Sequence, residues 1–370
     1  MVAVAVADLA HAVQKEVDSQ LGRPFLPPRF ISIPDRPYND LRYLIDITKA
    51  KEQLGWQPNI SFEEGLRLTV QSALEPKPSV QMSVVLFGGN GFVGKEFQRI
   101  LSEKQIPFQV ATTKPGIDED EKVEEELVHF GGTHVVCCTG RTHGGGKMTI
   151  EYLEGGTQQD YENIRDNMYS AVCLGQISRK LGMHYSYVGT GYIFAYDEEH
   201  PVGGKEFNDP TFFGSSYSVV KGFTDRQMKY FNRWENINAR ITLPLTYDVQ
   251  QPRNLLTKII NYKELFDLPV SLSILPDCIE ALLTLMAKRF QGTVNLVNPE
   301  PISLYEIVKL YKEKVDSSLD PSPIALDSPR GKEILATKGN CALSTSLLSQ
   351  HVNIPTARQS LINNFDRLAA

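Results

Sequence analysis

Two short motifs carry residue types that can do chemistry together. The turn Gly88-x-x-Gly91-x-x-Gly94 follows the apolar run 84–87 and precedes an amphipathic segment. A strand, tight turn and helix of this kind can direct a helix N-terminus at a pyrophosphate. Far downstream, Tyr217 and Lys221 are one helical turn apart and share one helix face. Either motif alone is common, but both in this order indicate a nicotinamide-dependent oxidoreductase.

Hydride transfer to a ketone leaves an alkoxide that must receive a proton. Tyr217 can supply it if Lys221 pulls its pKa towards neutrality by favouring the phenolate. Thr190, at a predicted strand end, would polarise the same carbonyl. Asn167, in a long predicted helix, would anchor the lysine through water. The alternatives are a turn-forming role for Thr190 and a helix-surface position for Asn167.

The residues around the glycine turn predict how a dinucleotide would lie. The second predicted strand ends without the acid that would hold a ribose 2′-hydroxyl, and Lys114 can instead pair with a 2′-phosphate. NADPH is therefore favoured, NADH stays open, and the alternative for Lys114 is a solvated loop residue. Cys137 and Cys138 are interpreted as buried fillers. The predicted cofactor-binding residues are Gly88, Asn90, Gly91, Phe92, Val93, Gly94, Lys114, Thr139, Gly140, Arg141, Asn167, Tyr217 and Lys221.

From Met82 onwards, apolar strand patterns alternate with amphipathic helix patterns. Strands are predicted at 83–87, 107–112, 133–138, 184–188, 237–243 and 293–297. Helices are predicted at 93–104, 120–129, 160–181, 215–234, 253–262, 278–289, 303–315 and 356–368. This alternation predicts an α/β fold, a Rossmann-type doubly wound parallel sheet, with a smaller C-terminal substrate-binding lobe mainly in 245–370.

The segment before Met82 has a different organisation. Helix patterns cover 8–17, 47–54 and 62–74, with a proline-rich stretch between the first two. The sequence Glu75-Pro76-Lys77-Pro78-Ser79 is typical of a linker. We therefore predict a unit at 1–75, a linker at 76–81 and a self-sufficient unit at 82–370.

Bulk composition excludes several classes of function. The net charge of −6 and the absence of a basic cluster argue against nucleic-acid binding. No apolar run reaches membrane-spanning length, and the apolar first residues lack the basic leader of a signal peptide. The five cysteines show neither metal-ligand nor disulfide spacing, so we expect no metal site and a cytoplasmic location.

Several longer passages carry a resemblance to a known family. They are Gly140-Arg141-Thr142-His143-Gly144, Thr149–Glu154, Gly189–Phe194, Phe213–Gly222 and Pro252–Lys258. In order and spacing, residues 82–370 resemble the dTDP- or UDP-4-dehydrorhamnose reductases of the extended short-chain dehydrogenase/reductase superfamily, and in particular the nucleotide-rhamnose synthase/epimerase-reductase branch. The resemblance implies NADPH-dependent reduction of the C4 ketone of a nucleotide-4-keto-6-deoxyhexose, giving a nucleotide-linked L-rhamnose. It also implies a catalytic centre of Thr190, Tyr217 and Lys221, and substrate contacts from Thr190, Gly191, Arg253 and Asn254.

One position departs from the family pattern. Bifunctional members of that branch carry a cysteine just after the Thr-Gly pair, which acts with a lysine to epimerise C3 and C5. Here Lys258 matches the lysine, but Tyr192 stands at the cysteine position. Epimerisation needs a base on one face of the sugar and a proton donor on the other. Our hypothesis is a 4-reductase that relies on a separate 3,5-epimerase, with donation by Tyr192 left open.

The first 75 residues resemble the carboxyl end of a nucleotide-glucose 4,6-dehydratase, through the passage 34–46 with Leu54–Pro58 and Phe62–Leu66. Arg36, Asn39 and Arg42 match nucleotide-sugar contacts of that family. The dehydratase's glycine turn and its Tyr-x-x-x-Lys are absent from these residues. The segment is therefore either the remnant of a fused enzyme, which we favour, or a docking element for another protein such as a 4,6-dehydratase.

Two rival interpretations stay open. The regulatory β subunit of methionine adenosyltransferase shares the fold and binds NADP without turnover, although the set Thr190, Tyr217 and Lys221 favours an enzyme. The second rival keeps the enzyme class but acts on a different sugar, as an epimerase or a GDP-fucose-type synthase. Helix-mediated dimers are usual in this fold, so a homodimer is also open, as is the choice between uridine and thymidine.

Overall fold

A computed structural model of the chain describes residues 5–30, 45–74, 81–195 and 203–369. The chain divides into two compact units, Met1–Ser79 and Val80–Ala370. The predicted boundaries at residues 75 and 82 stay a prediction, because all of the linker except Gln81 lies outside the described residues. Arg36, Asn39 and Arg42 also lie outside them.

The first unit contains three helices close to the predicted ones, α1 Val6–Gln20, α2 Thr48–Leu54 and α3 Phe62–Leu74. Gln20 of α1 donates through Nε2 to the carbonyl of Arg67 on α3, at 3.0 Å. Among the described residues of this unit, Val70 is the one buried apolar side chain. A unit with so little core has small hydrophobic stabilisation of its own.

A six-stranded parallel sheet organises the second unit. Its main strands are β1 Val84–Phe87, β2 Phe108–Val110, β3 His134–Cys137, β4 His184–Thr190, β5 Asn236–Ile241 and β9 Gly292–Asn295. Their spatial order is β2-β1-β3-β4-β5-β9, with every neighbouring pair parallel. The predicted Rossmann-type α/β class is confirmed. The carboxyl ends of all six strands therefore meet at one edge, where such sheets bind ligands.

Helices cover both faces of this sheet and build the rest of the unit. They are α4 Phe92–Glu103, α5 Asp120–Phe130, α6 Thr157–Ile164, α7 Ser170–Lys180, α8 Ser216–Phe231, α9 Leu255–Ile259, α10 Leu275–Ala287, α11 Leu304–Lys314, α12 Pro329–Thr337, α13 Leu348–His351 and α14 Ala357–Ala369. The predicted helix 160–181 is interrupted by a π-helical turn, Arg165–Tyr169. A 3₁₀ turn, Ile150–Glu154, precedes it.

A second, smaller apolar cluster marks the C-terminal lobe. It includes Leu245, Leu256, Leu265, Ile307 and Phe365. Four short strands border it, β6 Pro244–Leu245, β7 Glu264–Phe266, β8 Ser273–Ile274 and β10 Ser322–Ile324, and pair as β6 with β8 and β7 with β10. The range predicted for the lobe, 245–370, also contains α10, which packs against the main sheet, and β9, which is one of its strands.

Two classes of feature are not found in the part of the chain that the structure describes. No helix there combines the length and apolar character needed to cross a bilayer. No group of three or more histidine, cysteine or acidic side chains converges there as metal ligands would.

Candidate active site

The glycine turn between β1 and α4 leaves no room for side chains. Gly88 has a positive φ of 76°, and a Cβ on it would lie 2.7 Å from the Cys138 carbonyl carbon. A Cβ on Gly94 would lie 2.3 Å from the Gly88 oxygen. Gly91 is the N-cap of α4, and no side chain caps the first amides of the helix. Uncapped amides beside a compact turn fit a pyrophosphate.

A cleft of about 430 Å³ opens from this turn along the carboxyl edge of the sheet. Of the predicted site residues, those that line it are Gly91, Phe92, Val93, Thr139, Gly140, Asn167, Thr190, Tyr192, Tyr217, Lys221, Arg253 and Lys258. Gly88, Asn90, Gly94, Lys114, Arg141, Gly191 and Asn254 do not line it. The glycine turn and the Tyr217–Lys221 motif thus contribute residues to the same cavity.

Thr190 and Tyr217 lie close together because β4 ends and α8 begins at the cleft. Thr190 is the last residue of β4, and Tyr217 is the second residue of α8. The start of α8 is held by a capping box, in which Ser215 Oγ accepts from the Ser218 amide at 3.1 Å and Ser218 Oγ accepts from the Ser215 amide at 3.0 Å. This cap fixes the helix turn that carries the phenol.

Burial controls the acidity of the Tyr217 phenol. Burial raises its pKa to about 12, against an opposing hydrogen bond with Thr190. The expected fall of this pKa towards neutrality under the influence of Lys221 is therefore not found. The physical reason is that desolvation of the phenolate outweighs the stabilising contacts.

Lys221 has a different partner from the expected one. Its Nζ donates to Tyr187 Oη and lies 4.6 Å from the centre of the Tyr187 ring. Burial lowers the pKa of Lys221 to about 8, although Cys137 and Asp225 oppose this. Tyr187, a β4 residue that sequence reasoning did not single out, therefore holds the ammonium one helical turn from Tyr217.

Asn167 acts as a clasp on the strand end rather than as a free helix-surface residue. It lies in the π-helical turn and is 1% exposed. Its Oδ1 accepts from the Arg141 amide at 2.9 Å, and its Nδ2 donates to the Arg141 carbonyl at 2.8 Å. The Arg141 guanidinium is itself paired with Asp166, at 2.6 Å. Asn167 and Asp166 therefore hold Arg141, and with it the loop after β3, in place beside the cleft.

Two cations lie on the lobe side of the cleft. Arg253 donates to Thr142 Oγ1 at 3.0 Å, and burial lowers its pKa. The pKa of Lys258 is also lowered, by burial and by the neighbouring Arg253. Among the described residues, neither cation forms an ion pair with a carboxylate. Half-buried cations without a counter-ion are suited to an anionic ligand.

Asn254, predicted as a substrate contact, is fully buried. Its amide accepts from the Thr246 and Leu256 amides and donates to the Thr246 and Asp248 carbonyls. All four hydrogen-bonding positions are therefore used inside the lobe. In this geometry Asn254 positions the start of α9, and with it Arg253 and Lys258.

Tyr192 and Cys341 also line the cleft. Tyr192 packs edge-on against Phe212, with ring centroids 5.3 Å apart, and its amide donates to Thr190 Oγ1 at 3.1 Å. Burial raises its pKa, and the Gly339 amide opposes this. Burial raises the pKa of Cys341 to about 11, although a hydrogen bond with Thr242 opposes it. Sequence reasoning missed Cys341, which reaches the cleft only because the chain returns from the lobe at Asn340.

Both units are similar to known proteins of nucleotide-sugar metabolism. The sequence model of the GDP-mannose 4,6-dehydratase family matches residues 6–69. Protein L780 of Acanthamoeba polyphaga mimivirus is 37% identical over 235 residues, which are 63% of this chain and 80% of that protein. The crystal structure of that protein, described as a UDP-rhamnose synthase, superposes with a TM-score of 0.70 at 31% identity, covering 78% of this chain and all of that one.

Two further matches extend the comparison. A trifunctional UDP-glucose 4,6-dehydratase/UDP-4-keto-6-deoxy-D-glucose 3,5-epimerase/UDP-4-keto-L-rhamnose-reductase of Arabidopsis thaliana is 28% identical over 376 residues, 86% of this chain but 54% of that protein. The chain thus spans about half the length of the plant relative. The dTDP-4-dehydrorhamnose reductase of Bacillus anthracis, solved with NADP, has a TM-score of 0.60 at 16% identity, over 78% of this chain and 98% of that one. At that identity the likeness shows the fold.

Proposed function

Since this chain belongs to the UDP-rhamnose synthase family, we propose that it reduces the C4 ketone of a nucleotide-linked 4-dehydrorhamnose with a nicotinamide cofactor. The observation that carries this proposal is that Thr190, Tyr217 and Lys221 share one cleft with Arg253 and Lys258, two cations that form no ion pair within the described ranges. The product would be a nucleotide-linked L-rhamnose.

The chain's own residues supply the proton and hold the oxygen. A bound nicotinamide would supply the hydride. The Tyr217 phenol, with its pKa near 12, is protonated at neutral pH and can donate to the oxygen that gains charge. Thr190 is placed to hydrogen-bond the same oxygen. Lys221, held by Tyr187 one helical turn from Tyr217, would contact the nicotinamide ribose and so orient the cofactor.

The substrate's diphosphate would lie against the lobe. Arg253 and Lys258 provide the positive charge, and the Arg253 guanidinium can contact two phosphate oxygens at once. The fixed start of α9 at Asn254 keeps both cations oriented towards the cleft. We propose uridine or thymidine as the base, in accordance with the relatives.

The preferred cofactor in this proposal is NADPH, with NADH as the second. The support is Lys114, whose exposed side chain follows β2, where the 2′ position of the adenosine ribose lies in such folds. The uncapped amides of α4 and the compact turn at Gly88 and Gly94 would hold the pyrophosphate.

Epimerisation at C3 and C5 is proposed to need a separate enzyme. Lys258 is in the cleft, and its lowered pKa suits a base. Tyr192, however, packs against Phe212 and has a raised pKa, and it stands where bifunctional relatives carry a cysteine. If purified protein alone incorporated solvent deuterium at C3 and C5 of the 4-keto sugar, this part of the proposal would be wrong.

The first 75 residues are proposed to be the counterpart of a dehydratase substrate lobe, without dehydratase chemistry of their own. The match of residues 6–69 to the GDP-mannose 4,6-dehydratase family supports this. Those residues contain neither a glycine turn nor a Tyr-x-x-x-Lys motif. A 4,6-dehydratase acting earlier on the nucleotide sugar would supply the ketone.

The direct test is oxidation of NADPH by purified protein given UDP- or dTDP-4-keto-6-deoxyglucose, each with and without an added 3,5-epimerase. Turnover that depends on the epimerase is the expected result. Turnover without it would assign epimerisation to this chain as well. No turnover in any combination would contradict the reductase proposal and favour an NADP-binding regulatory subunit.

A further inference from the structure

One half-buried carboxylate accepts hydrogen bonds from both residues that begin the loop after β2. Glu126, on α5, accepts through Oε1 from the Thr112 amide at 2.7 Å and the Thr112 hydroxyl at 2.8 Å. Through Oε2 it accepts from the Thr113 amide at 3.0 Å and the Thr113 hydroxyl at 2.5 Å. Two amides and two hydroxyls thus converge on a single anion.

The four donors of Thr112 and Thr113 could bind an oxyanion, and the Glu126 carboxylate of the same chain occupies that position. Burial alone would raise the pKa of Glu126, but the hydrogen bonds from Thr113 and Thr112 outweigh it and lower the pKa. Each carboxylate oxygen accepts two hydrogen bonds, so the four donors are fully occupied. A second anion arriving at Thr112 and Thr113 would find these four donors already used and would meet the negative charge of Glu126.

The loop lies where the adenosine ribose is expected. The Ala111 amide donates to the Leu86 carbonyl at 3.0 Å, so the loop starts directly beside the strand that leads into the glycine turn. A Cβ on Gly89 would lie 2.6 Å from Val110 Cγ1, which shows how closely the turn and β2 approach. In dinucleotide-binding sheets the residue that distinguishes a ribose 2′-hydroxyl from a 2′-phosphate acts at this place.

From this geometry, and resting on the nicotinamide-dependent function proposed above, we propose that Glu126 is a specificity-determining residue that restricts binding of a 2′-phosphorylated cofactor. It supplies, from α5, the carboxylate that is missing at the end of β2. Its charge opposes a 2′-phosphate, and its hydrogen bonds withhold the Thr112 and Thr113 donors that a phosphate would use.

Lys114 acts in the opposite direction at the same loop. Its backbone amide donates to Asp118 Oδ2 at 2.7 Å, and its side chain is exposed. The ammonium attracts a 2′-phosphate while Glu126 repels it. The balance between the two charges makes the site accept both NADPH and NADH instead of selecting one strictly.

The test measures binding, separately from turnover. The full-length chain and its variants are titrated calorimetrically with adenosine 2′,5′-bisphosphate and with 5′-AMP, and the ratio of the two dissociation constants is compared. Glu126→Gln is expected to shift the ratio towards the bisphosphate by about tenfold, since a neutral amide removes the repulsion. Lys114→Gln is expected to shift it in the opposite direction.

Glu125→Gln is the matched control, because Glu125 is exposed on the same helix and loses the same charge without touching the loop. It should leave the ratio within about twofold of the original, as a screened surface charge does. An unchanged ratio in Glu126→Gln, or in Lys114→Gln where the first variant does not fold, would overturn this inference alone. Failure of the original chain to bind either nucleotide would overturn the proposed function together with it.

Discussion

At the scale of single residues, burial decides which group in the cleft carries a proton at neutral pH. The raised pKa of Tyr217 and the lowered pKa of Lys221 have the same cause, desolvation of the charged form. The phenol is therefore kept as an acid, and the ammonium stays close to its titration point. A protonated Tyr217 phenol beside the Lys221 ammonium suits a reductase, which must protonate the oxygen of its substrate.

Tyr217→Phe tests the proton donor. Removing the hydroxyl should lower kcat by at least about 100-fold, because general acid catalysis contributes on that order, while the dissociation constant for the dinucleotide changes far less than kcat. Steady-state kinetics and calorimetric titration check the two quantities. Tyr230→Phe is the control, since Tyr230 is an exposed phenol on the same helix. Near-normal turnover by Tyr217→Phe would place the donor elsewhere.

At the scale of elements, the start of α8 links stability to catalysis. The Ser215–Ser218 capping box satisfies amides that the helix itself cannot satisfy, and Tyr217 lies inside that first turn. Loss of the cap therefore has two expected effects, a lower free energy of unfolding and a less well placed phenol.

Ser215→Ala is expected to lower the free energy of unfolding by about 1 kcal/mol and also to lower kcat. Denaturant unfolding and initial-rate measurements check both effects. Ser328→Ala is the matched control, because Ser328 caps α12 by accepting from the Gly331 amide at 3.0 Å. That variant should lose similar stability and keep its kcat. Equal kinetics in the two variants would contradict a positioning role for the α8 cap.

Elements with a clear hydrophobic period could be predicted from the sequence, and those stabilised by tertiary contacts could not. The helix α4 begins at Phe92 and ends at Glu103, each one residue from the prediction at 93–104. The two-residue strands β6 and β8 were missed because they form by pairing with each other. The π-helical turn was also missed, because the Asn167 clasp on Arg141 joins residues far apart in the chain.

The same distinction holds for the functional side chains. Thr190, Tyr217 and Lys221 could be recognised because residue type and spacing encode their chemistry. Tyr187 could not, because its contact with Lys221 depends on how β4 packs under α8. Glu126 was missed for a similar reason, since its hydrogen bonds to Thr112 and Thr113 appear only when α5 packs beside β2.

At the scale of the whole molecule, two buried histidines connect the central strands to α10 and to the segment that follows it. His134 on β3 contacts the Met286 carbonyl at 3.1 Å, and His184 on β4 contacts the Phe290 carbonyl at 2.9 Å. Burial lowers the pKa of His134 from 6.5 to about 4, and the charge of Arg289 adds to this. The neutral imidazole is thus part of the folded structure.

This depressed pKa predicts acid sensitivity of the fold. Below pH 6.5 the unfolded chain takes up a proton that folded His134 refuses until about pH 4. The stabilisation is therefore complete above pH 6.5 and falls on the order of 2–3 kcal/mol as the pH drops towards 4. Urea unfolding across this range checks it, with His134→Gln as the comparison. An equally steep loss in that variant would assign the effect to other groups.

The two units differ greatly in the number of apolar side chains that they bury, so we expect them to differ in their ability to fold alone. The described part of Met1–Ser79 buries one apolar side chain, whereas Val80–Ala370 contains the sheet core and the lobe core. Because each core lies within the second unit, a chain of residues 80–370 is expected to unfold cooperatively and to keep kcat within about twofold of the full chain. Thermal unfolding followed by circular dichroism, with parallel rate measurements, checks both. Loss of cooperative unfolding would mean that residues 1–79 stabilise the second unit. Retained folding with lost turnover would instead show that they contribute to the site.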